Sequence, residues 1–513
     1  MLNKIKLNKH IIILFILIII SFLVRVLEIE KPGYVVDEPL IVTGGIKYYL
    51  PSDYNPSLYD NALPGGKLWM GLFIKIFSNK DVSSLAQYGI RAFGMTTLNS
   101  EVLSGLEVYA RMPGAIFGFI AGIFIYLLIK EIYGKNAALI GFILFAFNPL
   151  IITYSRFAVN EIYQISYMIM SIYFFYKSFF TKKPYFLILS GLFLGLSIST
   201  KLNGLLILPF FILLIILKNT KFKKKIIFNY KNIIIKSLII IGLSLFVLWV
   251  IVGFDLETIL TIVNYYNSEG YNGFGIYLFN ILKDMFFYTN PLVWVMLIYS
   301  LYKIIKNKEY HNFKTQFVLI LFSVFLFSTF FKTQSSIKRA IQFTLFIFIV
   351  SSRMFENVKD KKIYLIPIII FLVDFGLIMY YFPNTALATS ITCLSQNCIE
   401  NNAIFYYDSR AVGEKINELP LGLLYETTNL EGHTRHYINN TQYYLSSSLL
   451  SWLHGITNPS FEFLKQNNFS YVVKNPYNIE GFEILGLDYR NCKYYPVNVK
   501  NIEISRIYNL SSC

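Results

Sequence analysis

Asn148-Pro149-Leu150-Ile151-Ile152-Thr153-Tyr154-Ser155-Arg156-Phe157-Ala158-Val159-Asn160-Glu161 is the stretch on which the reading of this chain turns. It closes one apolar run, 136–153, and opens another, 161–180. A helix needs about 20 apolar residues to cross the hydrocarbon of a bilayer, so each run has the length of one crossing. The polar turn between them then sits at a membrane boundary. Only helices and closed barrels satisfy their backbones in lipid, and runs of this length are too long for barrel strands.

Outward from that turn the same pattern recurs. Spans are predicted at 10–29, 105–130, 136–153, 161–180, 184–200, 203–217, 233–254, 286–305, 315–331, 339–354 and 361–382, eleven in all. Composition agrees. Of 513 residues, 55% are hydrophobic and only 15% charged, against about 25% charged in a soluble domain. Mean hydropathy is +0.51. An ordinary soluble chain and a disordered one are both excluded. Residues 383–513 lack such runs. The expected fold class is therefore a polytopic α-helical membrane domain, 1–382, followed by a small C-terminal α/β domain, 383–513.

The net charge is +16, yet it does not point to nucleic acid, because the lysines lie in short loops between apolar runs. There they report topology and attraction to anionic headgroups. The N-terminus and the loops 130–135, 177–183, 218–236, 303–314 and 353–362 are basic. The positive-inside rule puts those in the cytoplasm. The alternate loops, the long loop 30–104 and, after an odd number of spans, the C-terminal domain then face outward. All four cysteines (Cys393, Cys398, Cys492, Cys513) and three sequons, at Asn439, Asn468 and Asn509, fall in that last domain. An even cysteine count confined to an exported domain reads as one or two disulfides. The first apolar run lacks a small-residue cleavage site and reads as a span, not a cleaved signal.

Two features of the outer face carry chemistry. The loop 30–104 begins Lys31-Pro32-Gly33-Tyr34-Val35-Val36-Asp37-Glu38-Pro39, with two adjacent carboxylates soon after a span ends. Pro39 suits a helix start, so the bland reading is a capping acid pair. Further on, Leu68, Trp69, Leu72, Phe73, Ile76 and Phe77 form an apolar stripe at helical spacing, which predicts an interfacial helix. The second feature is a set of cations on the side where the topology bias disfavours them: Arg111, Arg156, Lys201, Lys332, Lys338 and Arg339. For Arg156 the bland reading is a snorkelling side chain. Cations and carboxylates together at headgroup height suit a lipid-phosphate substrate. Arg or Lys holds the phosphate, and a carboxylate takes the proton of an incoming nucleophile. No histidine lies near the outer ends of the early spans, so no metal is expected, although Asp37 and Glu38 could hold a divalent ion. Asp374, inside the last span, reads as a satisfied polar group. His433, Arg435 and His436 read as a solvated turn.

Val36-Asp37-Glu38-Pro39, Ala110-Arg111-Met112-Pro113-Gly114-Ala115, Asn148-Pro149 through Tyr154-Ser155-Arg156 to Glu161, and Gly191-Leu192-Phe193-Leu194-Gly195-Leu196 before Lys201 together resemble the GT-C class of integral-membrane glycosyltransferases. The likeness is to the protein O-mannosyltransferase and lipid A aminoarabinose transferase superfamily. That resemblance implies an inverting transfer of a mannose-like hexose or related sugar. The donor is a polyprenyl or dolichyl phosphate sugar, and the acceptor is a protein, lipid or glycan hydroxyl. It implies Asp37 as general base, Glu38 helping to hold a substrate, and Glu161 as a second acid; the family commonly has Asp near there, where this chain has Asn160. Arg156, Lys201 and Arg339, with Arg111 and Lys67, are the candidates for holding the phosphate. A transporter or lipid flippase is the alternative, but it should show repeats and polar groups near the midplane. A non-catalytic scaffold would tolerate loss of Asp37. An oligosaccharyltransferase signature with adjacent tryptophans is absent.

Overall fold

A computed structural model of the chain describes residues 9–27, 29, 38–49, 63–78, 89–92, 95–98, 106–181, 183–222, 226–252, 289–330, 337–356, 358, 361–381, 405–407, 434–438, 441–445, 471–474, 493–499 and 502–509. Fourteen α-helices are seen among them. They are α1 Lys9–Val26, α2 Glu38–Lys47, α3 Lys67–Phe77, α4 Glu107–Tyr133, α5 Lys135–Ala146, α6 Pro149–Arg156, α7 Asn160–Phe180 and α8 Tyr185–Thr200. Then follow α9 Leu208–Asn219, entered through a 3-10 turn at Leu202–Ile207, α10 Tyr230–Val252, α11 Pro291–Lys306, α12 Phe313–Phe330, α13 Ile337–Ser352 and α14 Leu365–Tyr381. A helix falls on every run read as a span. Among the described residues, three stretches (Glu107–Tyr133, Leu202–Asn219 and Tyr230–Ile251) are long and apolar enough to cross a membrane, and the pair α5 and α6 makes a fourth.

That pair is one predicted span broken in two, with a bend of 57°. The cause is local. Pro149 cannot continue a helix, but it suits the first turn of a new one. Asn148 caps that turn, accepting from the Ile151 amide at 3.2 Å. The break lets α6 lie against α4. A Cβ at Gly118 would stand 2.1 Å from Ser155 Oγ, so only glycine admits this contact, the close approach that small residues permit in membrane helices.

The interfacial helix expected after Gly66 is α3. At 11 residues it is roughly 16 Å long, too short to cross. Its expected apolar stripe is the outward side, where Trp69, Ile76 and Phe77 are exposed, while Met70 and Ile74 face the core. It is tied to the turn after α2 by the Tyr49 hydroxyl, which donates to Leu68 O at 2.9 Å.

The core is the aromatic-rich seam between α4, α5, α7 and α13. Phe175 stacks on Phe211 with centroids 3.9 Å apart. At one end of the bundle Glu131 meets Lys177 at 2.7 Å and accepts from Lys314 at its carbonyl at 3.1 Å. There too, buried Arg353 pairs with Glu309 and, at 3.6 Å, with Glu356. Burial lifts the Glu356 carboxyl above its usual range, against the opposing pull of Arg353. Four of the basic loops thus touch one another, joined through Glu131 and Glu309.

Asp374 accepts from Asn290 Nδ2 at 3.1 Å, which satisfies it as expected. In the C-terminal part, six short strands form one sheet: Phe405–Tyr407, Thr434–Ile438, Thr441–Leu445, Tyr471–Lys474, Tyr494–Val499 and Ile502–Asn509. Arg435 and His436 lie in a strand, paired with Tyr406 and Tyr443, and not in the solvated turn expected. A hairpin ladder wins there over the polar composition. The expected helices of this part, the boundary at 382/383 and all four cysteines lie outside the described residues.

Candidate functional site

At the other end of the bundle the C-termini of α1, α6 and α8 meet the N-termini of α3, α4 and α7. Arg25, Arg156 and Lys201 sit at helix C-termini and Glu161 at an N-terminus, where the helix dipole favours each, whereas Lys67 and Arg111 lie near the starts of α3 and α4, against that preference. Arg156, in the last turn of α6, donates through Nη1 to the carbonyls of Val24 and Leu27 at 2.8 and 2.7 Å. It therefore holds the end of α1, and at 4% exposure it does not snorkel. Arg111 donates to Ile29 O at 2.9 Å and lies over the Phe157 ring. Both tie the first span to the second and third.

Glu161, in the first turn of α7, and Lys201, at the C-cap of α8, form an ion pair at 2.5 Å. The pair is asymmetric: the Glu161 side chain is 4% exposed and that of Lys201 is 20%. Gln164 Nε2 donates to Lys201 O at 3.1 Å, fixing the backbone that carries the lysine. The turn Pro64–Lys67 closes over these groups. Gly65 N donates to Ser199 O at 3.0 Å, and a Cβ at Gly66 would stand 2.4 Å from Asn160 Oδ1. Glycine is needed there for the approach alone. Lys67, which follows, is fully buried.

Of the sequence-predicted residues, Glu161, Lys201, Arg156, Arg111 and Lys67 thus gather at one end of the bundle. Glu38 opens α2, with Pro39 in its first turn as expected, but its side chain lies outside the described residues. Asp37 lies wholly outside them, and Arg339 belongs to α13 with its side chain outside them. Among the described residues no three histidine, cysteine or acidic side chains cluster as metal ligands.

Sequence reasoning missed Arg25. Fully buried, it donates to Ser21 O and Ser21 Oγ at 2.7 Å each and faces Ser155 Oγ at 3.4 Å. An arginine within an apolar run is itself a signal, because an ionisable group there needs partners. It missed also the buried polar face Asn160, Tyr163 and Gln164, whose i, i+3, i+4 spacing was visible.

The described helices thus form a domain at one end of which the turn Pro64–Lys67 closes on buried cations and an acid. Residues 92–249 match the family model described as dolichyl-phosphate-mannose-protein mannosyltransferase. A comparison with curated protein sequences found no match. Among solved structures, the apo oligosaccharyltransferase of Archaeoglobus fulgidus is 15% identical, with a TM-score of 0.52 over 92% of this chain and 70% of that one. ArnT from Cupriavidus metallidurans in the apo state is 10% identical, with a TM-score of 0.52 over 98% of each chain. The same protein bound to undecaprenyl phosphate gives 0.51 at 9% identity, again over 98% of each chain. Identities this low speak for the fold alone. The fold is the GT-C one, and the family match bears out the resemblance to the protein O-mannosyltransferase and aminoarabinose transferase superfamily. None of these matches is a transporter.

Proposed function

We propose that this chain is an inverting glycosyltransferase acting at the outer face of a cell membrane. It takes a mannose-like hexose or related sugar from a polyprenyl or dolichyl phosphate. An acceptor hydroxyl, on protein, lipid or glycan, attacks the anomeric carbon as the bond from that carbon to the phosphate oxygen breaks. The hydroxyl proton passes to the Asp37 carboxylate, and the lipid phosphate leaves with the bonding pair. Glu38 helps to hold a substrate and Glu161 acts beside it. In one inverting displacement no second acid need protonate the leaving group, since a phosphate requires cations instead. Those are Lys201, Arg156, Arg111, Lys67 and Arg339. Charge builds on the phosphate as the sugar departs, so cations already in place favour the transition state over the ground state. The reading routes no step through a metal.

The observation that carries this proposal is the Glu161–Lys201 pair, set among the buried cations Arg111, Arg156 and Lys67 at a single end of the bundle. The family match over 92–249 supports it, as do the undecaprenyl phosphate in the ArnT structure and its fold. The same reading takes residues 1–382 as eleven spans with a cytoplasmic N-terminus, and 383–513 as an outward domain.

The test is turnover of a panel of polyprenyl-phosphate sugars by the purified chain and by Asp37→Asn. A general base contributes typically 10²–10⁴-fold, so Asp37→Asn should lose about that much in kcat while still binding donor. Wild-type turnover by Asp37→Asn would remove Asp37 as the base.

A further inference from the structure

The first turn of α7 carries more buried hydrogen-bonding capacity than its surroundings use. Asn160 is 1% exposed, and neither its Oδ1 nor its Nδ2 has a hydrogen-bond partner among the described residues. The Tyr163 hydroxyl and Gln164 Oε1 share that condition, and both side chains are fully buried. Such atoms are costly to leave unmade and few in a native protein. Four on one helical turn call for a partner. Residues i, i+3 and i+4 share a helix face, so the four atoms form one stripe.

The stripe's chemistry narrows the partner. Asn160 offers a donor and an acceptor, Tyr163 can do either, and Gln164 has an acceptor left. A phosphate only accepts, so it would leave the acceptors unmet. A hydroxyl both donates and accepts, and several on one ring would match the set. Position agrees. Gln164 holds the Lys201 backbone through its other amide atom, and Glu161, between Asn160 and Tyr163 in sequence, pairs with Lys201. The stripe thus adjoins the cation best placed, by its exposure, to meet a phosphate. A buried turn forms part of its cover: Gly66 lies against Asn160 and Tyr163, and Gly65 donates to Ser199 O, while Phe117 of α4 packs on the Tyr163 ring.

We propose that Asn160, Tyr163 and Gln164 are the subsite for the hydroxyls of the transferred sugar. This rests on the glycosyltransferase reading above. It makes the three side chains specificity residues, binding the sugar while Lys201 and its neighbours bind the phosphate.

The test compares the affinity of the purified full chain for sugarless polyprenyl phosphate with its affinity for the same lipid phosphate bearing a sugar. The sugars are mannose and other hexoses, and the one turned over fastest by wild type is used. Wild type, Tyr163→Phe and Asn160→Leu are each measured, together with their thermal midpoints. The expected result is a preference for the sugar-bearing lipid that falls about tenfold or more in each variant, as when a site built to bind hydroxyls loses its own partner group. Affinity for the sugarless lipid should stay within about twofold, and the thermal midpoint should hold or rise. An unchanged preference with a raised midpoint would mean that the stripe is only buried polarity, and would overturn the proposal. Tyr163→Phe removes one oxygen and carries the test should Asn160→Leu fail to fold. If wild type neither transfers sugar nor binds either lipid, the enzyme reading itself has failed. That outcome is seen in wild type alone, apart from any variant.

Discussion

A single side chain, Lys201, shows how the same charge answers two demands. At the C-cap of α8 it suits the helix dipole, and its partner Glu161 suits the start of α7. Neither preference requires the two to touch, yet they do, at 2.5 Å. The lysine keeps a fifth of its side chain exposed while the acid is buried, so an incoming anion meets the cation first. Arg156 was as prominent in the sequence, but its Nη1 serves the α1 carbonyls. Position along the chain could place both residues at one membrane boundary; which would cap a helix depends on where α1 ends in space. Losing one donor to a developing oxyanion costs about 10²–10³ in kcat. Lys201→Gln should lose about that much in steady-state transfer assays. Because the two residues share a contact, adding Glu161→Gln to it should cost less than the two single losses summed in free energy. Additive losses would mean that the pair does not act as a unit.

At the scale of the element, most of the helical layout could be read from apolar runs, because a bilayer imposes helix and a minimum length together. The break at Asn148-Pro149 could be read too, since a cap and a helix-starting proline stand side by side. Hydropathy nonetheless reads 136–153 as one span, because it does not register a 57° turn. The seat of Gly65 and Gly66 on α7 and α8 had no local signal at all. It arises only when a distant loop returns. Arg435 and His436 show the reverse error, polar residues read as a turn where cross-strand pairing makes a strand. The contact of α4 with α6 gives a direct check. In Gly118→Leu the new Cβ would meet Ser155 Oγ at 2.1 Å and Ser155 Cβ at 2.8 Å. Overpacking typically costs about 1–3 kcal/mol, and here it should also displace Arg156 from α1. The thermal midpoint of the purified protein should fall, and transfer with it. Gly242→Ala, where a Cβ meets nothing within 4 Å, should leave both nearly unchanged. Equal effects from the two substitutions would deny the close packing its role.

The whole molecule sorts its charges into two ends. At one, Lys177 and Lys314 share Glu131, and Arg353 is held by Glu309 and Glu356. At the other, buried Arg25, Arg111 and Arg156 serve backbone carbonyls, and Glu161 meets Lys201. The first end is assembled from loops rich in exposed lysine, for which the positive-inside rule predicts the cytoplasmic side. The second spends its cations inward, so they add little to that bias. Their presence there costs desolvation, which a bundle sustains only where carbonyls, an acid or an anionic substrate repay it. That contrast predicts the orientation proposed above, and the prediction can be measured. Lys308 is exposed at the first end, and Lys75 is exposed on α3, which starts at the second. In intact cells a membrane-impermeant maleimide should label Lys75→Cys above the wild-type background of native cysteines. Lys308→Cys should react only after the membrane is opened. If both reacted from outside, or if the order were reversed, the donor phosphate and the gathered cations would face opposite compartments. The outward-facing reaction could not then occur at this end of the bundle.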